Sequence, residues 1–563
     1  MSHTPQRAYR IPDHTGEWLI FANKRKGLFH TAYTSLMAYM TPLRCVVIAA
    51  LLCTGNAFAR AKVTPSRTKT THLTDTAYQK SLTYFFDRPA RSMMEALPLG
   101  NGRMGMLSDG GVQRQSITLC ESSMWSGSVD STAWNAAAAD QLPAIRQLLL
   151  SGRPKEAEEL IYRTFVCGGV GSGRGQGANT PYGSYQVGGF LHLDWAKAPE
   201  TSRYYRGLSL TEGCSQELLE VGGAAYRSKR LYSVFGGEVQ VVHLTNHSTE
   251  SRSDTLRLSL SRPENGRASA VSGFLTLSGA LPDGKGGKGL GYAIVVRPSL
   301  PEGGELITQG DELLIVNAPS IDLYIAHNTN YYDKRTPLVG RGIEQTLQAQ
   351  SIGEGRLFAE HVQRFSTQMN RVQAHLAGSE AARTLLPIDQ RLRAYHEHPE
   401  LDPALAALYM QFGRYLLLSS TRPGALPPNL QGLWTETIQA PWNGDYHLNI
   451  NLQMNYWPAY VTNLLETAFP VINYIDDLRV YGRIAAARYA GIVSREGEEN
   501  GWLVHTQATP FGWTAPGWDY YWGWSPAANA WMMQTVYEAY SFYRDQDYLR
   551  EKIYPMLRET VRF

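Results

Sequence analysis

Hydrophobic and polar positions divide the chain into two regions of different period. Between about residues 80 and 335 the apolar positions repeat every second residue. Leu256, Leu258 and Leu260 alternate with Arg257 and Ser259, as a half-buried strand requires. The runs GEVQVVHLTN, FLTLSGAL, YAIVVRPSL, DELLIVN and SIDLYIAH are of the same kind and are separated by Gly, Pro, Asn and Asp. Many short strands with turn residues between them predict a β-sandwich over residues 75–338. One insertion departs from the pattern. Leu142 to Phe165 has helical spacing broken by Ser151-Gly152-Arg153-Pro154, which predicts a helical hairpin. Residues 168–189 are rich in Gly and Ser and read as a flexible loop. Within them GGVGSGRGQG lacks the Gly-Lys-Ser/Thr ending of a phosphate loop.

After residue 339 the period lengthens. Leu347, Ile352, Leu357, Phe358, Val362 and Phe365 are spaced for a helix, which predicts a helical linker over 339–395. A helical domain follows over 396–563. Asp402 and Pro403 suit a helix start, and helices are expected from there, over 452–475, over 478–489, over 527–544 and over 547–563. Short helices joined by long aromatic loops suggest an α/α toroid, and five helices are too few to close one. The last amphipathic pattern also runs to Phe563 with no Gly or Asn to cap it. The expectation is a multidomain β + α chain: an N-terminal β-sandwich, a helical linker and an incomplete (α/α)6 toroid, the whole a fragment of a longer protein.

The densest candidate chemistry lies between Arg422 and Ala459, where amides, aromatic rings and one His crowd together. Flat rings cover the C–H faces of a sugar and amides bond its hydroxyls. His447, Asn449 and Asn451 alternate with Leu448, Ile450 and Leu452. In an extended segment the three polar groups would share one face. A plainer reading makes Asn451 a helix cap and Asn449 a turn residue. Trp442 stands beside these amides. Further on, His505 sits in GWLVHTQATPFG, and Trp518, Trp522 and Trp524 follow as aromatic platforms, Trp524 being the first choice for the pocket. Nine of the 13 tryptophans lie between Trp434 and Trp531. That concentration favours a flat-faced ligand, although an aromatic core accounts for many of the rings.

Composition narrows the classes. A formal net charge of +3 on 563 residues implies no nucleic acid or other polyanion as partner. No Cys or His cluster has metal-ligand spacing, so no metal or cofactor is expected. Met40 to Ala59 reads as a secretory signal: Arg44, an apolar run from Cys45 to Cys53, and Ala57-Phe58-Ala59 as the cleavage site. The run is too short for a membrane span. Residues 1–59 are therefore an upstream segment plus signal, with translation expected to start at Met40. The mature chain, beginning near Arg60, is expected to be exported to the periplasm or beyond the cell. Cys120, Cys167 and Cys214 would remain, an odd and sparse set better suited to buried thiols than to a disulfide framework.

QFGRYLLLSSTRPGALPPNLQGLW and PWNGDYHLNINLQMNYWPAYVTNLLE resemble the catalytic barrel of glycoside hydrolase family 95, the inverting α-L-fucosidases. EALPLGNGRMG, from Glu95 to Gly105, and CESSMWSG, from Cys120 to Gly127, resemble two earlier motifs of that family. Glu95, Asn101 and Arg103 are more simply structural, and Gly100, Gly102 and Gly105 permit close backbone approach. The resemblance implies release of terminal α-L-fucose from a fucosylated oligosaccharide or polysaccharide by water-mediated inversion. It implies that Asn449 and Asn451 are the catalytic pair that positions the water. His447 would bind the sugar, with Trp442, His505 and Trp524 beside it. An amide takes no proton at neutral pH, so carboxylates must supply the acid and the base. Those of the family would fall beyond Phe563. Glu436, Asp445, Glu466 and Asp519 are weak local substitutes. Thr506 and Thr509 stand where the family often has His and Asp, which leaves an α-L-galactosidase of the same family as an alternative. Two further alternatives are an inactive carbohydrate-binding fragment and a sandwich-plus-toroid phosphorylase.

Overall fold

The alternating segments form two packed antiparallel sheets. The computed structural model describes residues 82–493 and 501–563. The signal Met40–Ala59, the segment before it and the first residues assigned to the sandwich lie outside the described residues. The strands are β1 (Thr83–Phe86), β2 (Leu97–Gly100), β3 (Met104–Ser108), β4 (Arg114–Glu121), β5 (Gly189–Trp195), β6 (Arg203–Ser209), β7 (Cys214–Val221), β8 (Ala224–Ser233), β9 (Gln240–Asn246), β10 (Thr255–Ser261), β11 (Arg267–Val271), β12 (Phe274–Pro282), β13 (Lys288–Ser299), β14 (Glu305–Gln309), β15 (Glu312–Val316) and β16 (Ser320–Thr329). One sheet has the order β1-β6-β7-β8-β9-β16-β13-β12-β11, the other β14-β15-β10-β5-β4-β3-β2. In β10, Leu256, Leu258 and Leu260 turn inward to meet Leu193, Leu191 and Leu277 in one apolar core. By contrast β16 is buried along its whole length, because the helix Leu338–Ile352 covers its other face together with that of β13. Burial on both faces explains why SIDLYIAH reads as a nearly continuous apolar run.

The insertion is the expected pair of helices, Leu142–Leu150 and Pro154–Thr164. In the helical half the long helix Pro403–Ser420 starts at Asp402, although the Asp402 side chain makes no cap bond. It pairs instead with the buried Arg391, at 2.7 and 3.0 Å. The expected helices over 452–475 and 478–489 are differently divided. The chain forms Asn451–Val461, breaks, and continues as Phe469–Ala485. The break falls at Asn463, whose left-handed φ of 58° lets the Leu464 N–H bond back to the Ala459 carbonyl at 2.8 Å. No break occurs at Asp476-Asp477, where apolar spacing alone had suggested one. Further along come the helices Ala528–Tyr543 and Tyr554–Arg562, and the expected linker holds Leu338–Ile352, Glu354–Met369 and Ile388–Glu397.

The two halves meet at backbone distance. The hairpin β2–β3 lies against the end of the helix Pro403–Ser420. Gly102 N–H donates to the Ser419 carbonyl at 2.8 Å, Tyr415 Oη–H to Pro98 O at 2.6 Å, and Trp434 Nε1–H to Leu99 O at 3.0 Å. A Cβ on Gly100 would stand 2.2 Å from the Ser419 carbonyl oxygen, so the approach depends on glycine there. Neighbouring polar groups are spent on the same junction. Arg103 pairs with Glu121 and Glu238 at 2.8 and 2.6 Å, and Glu95 pairs with Arg88. Gly100→Ala should therefore cost about 1–3 kcal/mol of stability through enforced overpacking. Gly413→Ala, on the exposed side of the same helix with nothing near its Cβ, should gain about 0.5–1 kcal/mol. Denaturant or thermal unfolding of the two variants checks the opposite signs.

Candidate active site at the junction of the two halves

Loops from both halves enclose a cleft of about 350 Å3. The sandwich contributes Ser172, Arg174 and Gly175 from the glycine-rich segment. The helical half contributes Trp442, Asp445, His447 and Asn449 from one loop, and Thr506, Gln507, Trp518 and Trp522 from another. The two helical-half loops are stitched together by a two-strand ladder in which β17 (Tyr446–His447) pairs with β18 (Gln507–Ala508). Leu448 N–H extends the ladder by donating to Thr506 O at 2.7 Å.

The glycine-rich segment, expected to be flexible, is fastened. The Asn443 carboxamide accepts from Gly177 N–H at 2.7 Å and donates to Ser172 O at 2.9 Å. Gln439 accepts from Ala178 N–H and donates to Gly175 O, both at 2.9 Å. These partners lie more than 250 residues away in sequence, so local composition carries no sign of them.

At the floor of the cleft Asp445 is 1% exposed, yet both of its oxygens are bonded. Tyr182 Oη–H, from the sandwich, donates to Oδ2 at 2.5 Å, and His447 Nδ1 lies 2.5 Å from Oδ1. Asp445 is extended and stands just before β17, two residues ahead of His447, so the two face the same way and carboxylate meets imidazole. Burial pushes the Asp445 carboxyl above the usual carboxylate range, against the opposing pull of His447 and Tyr182. For His447, burial would depress the imidazole, but the Asp445 hydrogen bond and charge outweigh it and hold it above its ordinary value. A proton on Nδ1 directed at Asp445 leaves Nε2 as the ring nitrogen available to a ligand.

Around the rim stand Trp442, Trp518 and Trp522, with Trp442 69% exposed. Trp518 and Trp522 meet edge to face at 5.5 Å, which fixes two platforms at an angle. Backbone strain is concentrated here. Trp442 and Asn443 have left-handed φ of 49° and 61°, and Ile450 has φ of 147°, conformations that cost about 1–3 kcal/mol each.

The expected shared face of His447, Asn449 and Asn451 is not formed. The chain leaves the ladder after His447, turns through Leu448 and the strained Ile450, and starts a helix at Asn451. Asn449 reaches the cleft lining. Asn451 is exposed one residue beyond the turn and is not part of the lining; it is the first helical residue, with Ile450 at the cap position. Among the described residues neither carboxamide makes a hydrogen bond, so the fold uses neither.

His505 and Trp524 need correction as sugar contacts. His505 is fully buried, accepts from Ser525 N–H through Nδ1 at 3.2 Å, and is pushed down to about 3 by burial, so it stays neutral. Trp524 packs on it at 4.3 Å and meets Phe165 edge on at 4.9 Å, forming the layer behind the cleft. The other local carboxylates are also placed. Glu466 pairs with Arg371, Asp519 caps the turn at Tyr520, and Glu436 is exposed away from the lining. Tyr182, Gln507 and Arg174 were missed. Tyr182 and Gln507 carry no motif, whereas Arg174 was legible as the one charged side chain in GGVGSGRGQG.

Comparison with known proteins accords with this architecture. Residues 84–334 match the N-terminal domain of glycosyl hydrolase family 65. A putative kojibiose phosphorylase from the human microbiome has the same fold over 86% of this chain and 57% of its own, with a TM-score of 0.52 at 10% identity. The protein is thus of the class in which a family 65-type sandwich precedes a helical domain. Residues 354–563 match the glycosyl hydrolase family 95 catalytic domain. Alpha-L-fucosidase 2 of Arabidopsis thaliana is 26% identical over 512 residues, 85% of this chain and 58% of its own length. Probable alpha-fucosidase A of Aspergillus niger is 27% identical over 487 residues, 83% of this chain and 58% of its own. The helical half thus resembles the family 95 catalytic domain, and the chain spans 58% of the length of each of these two relatives.

If Asp445 holds the His447 imidazole up, Asp445→Asn removes that support and leaves burial unopposed. The His447 titration followed by NMR should then move to lower pH than in the parent chain. An unmoved titration would contradict the coupling. The sign for stability follows. A raised imidazole pKa contributes stability that is full below the unfolded-state value and is lost as pH rises through the folded-state value.

Proposed function

We propose that this chain binds the terminal α-L-fucose of a glycan in the junction cleft, as part of an inverting fucosidase. The observation that carries the reading is His447, oriented by buried Asp445 and set among tryptophan platforms beside the unused amide of Asn449. A 6-deoxy sugar has apolar faces for the rings and hydroxyls for the imidazole and amides. The fucosidase names of the relatives support the same sugar.

Inversion requires one carboxylic acid at the leaving oxygen and a base acting through water on the opposite side, roughly 6.5–9.5 Å apart. Asn449 and Asn451 can orient that water but cannot accept its proton. Among the described residues Asp445 is the only carboxylate in the lining, and its oxygens are committed to Tyr182 and His447. In this proposal both acid–base roles fall to residues outside that lining. The apolar run and small-residue site between Met40 and Ala59 support export, which N-terminal sequencing at Arg60 would check.

Calorimetry with methyl α-L-fucoside should show binding by the chain. His447→Ala should weaken it by about 0.5–1.5 kcal/mol, the loss of one hydrogen bond to the sugar. Asn449→Ala should weaken it less. Tighter binding of methyl α-L-galactoside would favour the galactosidase alternative. Equal binding by His447→Ala would remove the sugar from this cleft. Turnover of a chromogenic fucoside by this chain would contradict the placement of the acid and base.

A further inference from the structure

The rim of the cleft carries a cation that the fold does not consume. Arg174 sits with its guanidinium 4.8 Å from the centre of the Trp518 ring. It is exposed at the cleft lining and makes no ion pair or hydrogen bond with a described residue. Its backbone has φ of 54°, between Gly173 and Gly175, which are left-handed as well. Glycine would adopt this conformation without strain, so an arginine here accepts a cost that the turn does not demand. The segment is nevertheless rigid, because Asn443 and Gln439 hold the carbonyls and amides on either side. A planar cation is therefore presented over an aromatic ring, with its N–H groups unused by the described residues.

One buried group of the lining also has an unused donor. Gln507 is 2% exposed, and its Nε2 donor has no partner among the described residues. The lone carboxylate, Asp445, is bonded through both oxygens. Depth separates the functions. Asp445, Gln507 and Thr506 form the buried floor, whereas Arg174, Trp442, Trp518 and Trp522 form the open rim. A terminal sugar on the floor would put the next unit of its glycan at the rim.

We propose that the Arg174–Trp518 pair is a subsite for an anionic sugar next to the terminal residue, so that the preferred ligands are acidic glycans carrying a carboxylate or a sulfate ester. The ring of that neighbouring unit stacks on a rim tryptophan while its oxygens take the fork of Arg174. The assignment to the neighbouring unit rests on fucose binding at the floor; the preference for an anion does not.

Calorimetry on the whole chain tests both parts. The probes are a neutral α-L-fucosyl-galactose disaccharide, its sulfated form, a fucosyl-galacturonate, and methyl galacturonide without fucose. The expected result is that at least one acidic fucosyl disaccharide binds about fivefold more tightly than the neutral one at low salt, with the ratio shrinking as ionic strength rises. Arg174→Gln should bring the ratio close to one. The sulfate and uronate arms identify which anion is used. Acidic and neutral disaccharides of equal affinity overturn the proposal. So does an Arg174→Gln variant that keeps the ratio, or that weakens both ligands equally, as a purely structural tie to Trp518 would. Should only the unfucosylated galacturonide bind, and through Arg174, the anion preference stands while the fucose reading and its placement at the floor fail.

Discussion

Asp445 is the carboxylate on which the junction depends. A buried carboxylate is costly unless both oxygens are hydrogen-bonded, and this one draws its partners from opposite halves of the protein. Tyr182 reaches it from the sandwich, and His447 from the helical half. Losing the Tyr182 hydrogen bond would leave one buried carboxylate oxygen without its donor, a cost of about 1–3 kcal/mol. The same carboxylate sets the tautomer of His447, so the bond that closes the junction also fixes which imidazole nitrogen faces the cleft.

Closure of the junction explains where the strain is kept. Trp442, Asn443, Ile450 and Arg174 all have positive φ; three of them line the cleft, and Ile450 follows Asn449 of the lining. Each is over-determined by its neighbours. Asn443 is bound through its side chain to Ser172 and Gly177, and its carbonyl accepts from Tyr185 N–H at 2.8 Å. Ile450 is caught between the ladder that ends at His447 and the helix whose first bond runs from Met454 N–H to its own carbonyl at 2.7 Å. Strained positions persist when surrounding structure leaves them no alternative, and here they turn Trp442 out to the rim and Asn449 into the cleft.

The packing behind the cleft is aromatic for a related reason. Trp125 stacks on Tyr446 at 5.6 Å, Tyr446 meets Tyr474 at 4.5 Å, and Trp524 covers His505. These rings carry loops with little regular hydrogen bonding, and their bulk substitutes for the ladders that strands would provide. The concentration of tryptophan after residue 434 thus has two sources. Trp442, Trp518 and Trp522 face outward as platforms, whereas Trp502, Trp513 and Trp524 hold the loops behind them.

The sequence by itself determined the order of the two halves, the helical hairpin and the crowding of amides and rings around His447, because period and turn residues are local properties. It also contained the Asp445-x-His447 spacing that brings the dyad to one face. Tertiary structure alone decided which rings became platforms and which became packing, for indole bulk is the same in either setting. It moved His505 and Trp524 behind the cleft, ended the strand before Asn449, and turned a glycine-rich run into a fastened wall bearing Arg174. Those outcomes rest on bonds between residues hundreds of positions apart, such as Tyr182 with Asp445 and Gly177 with Asn443, and no local pattern encodes a distant partner.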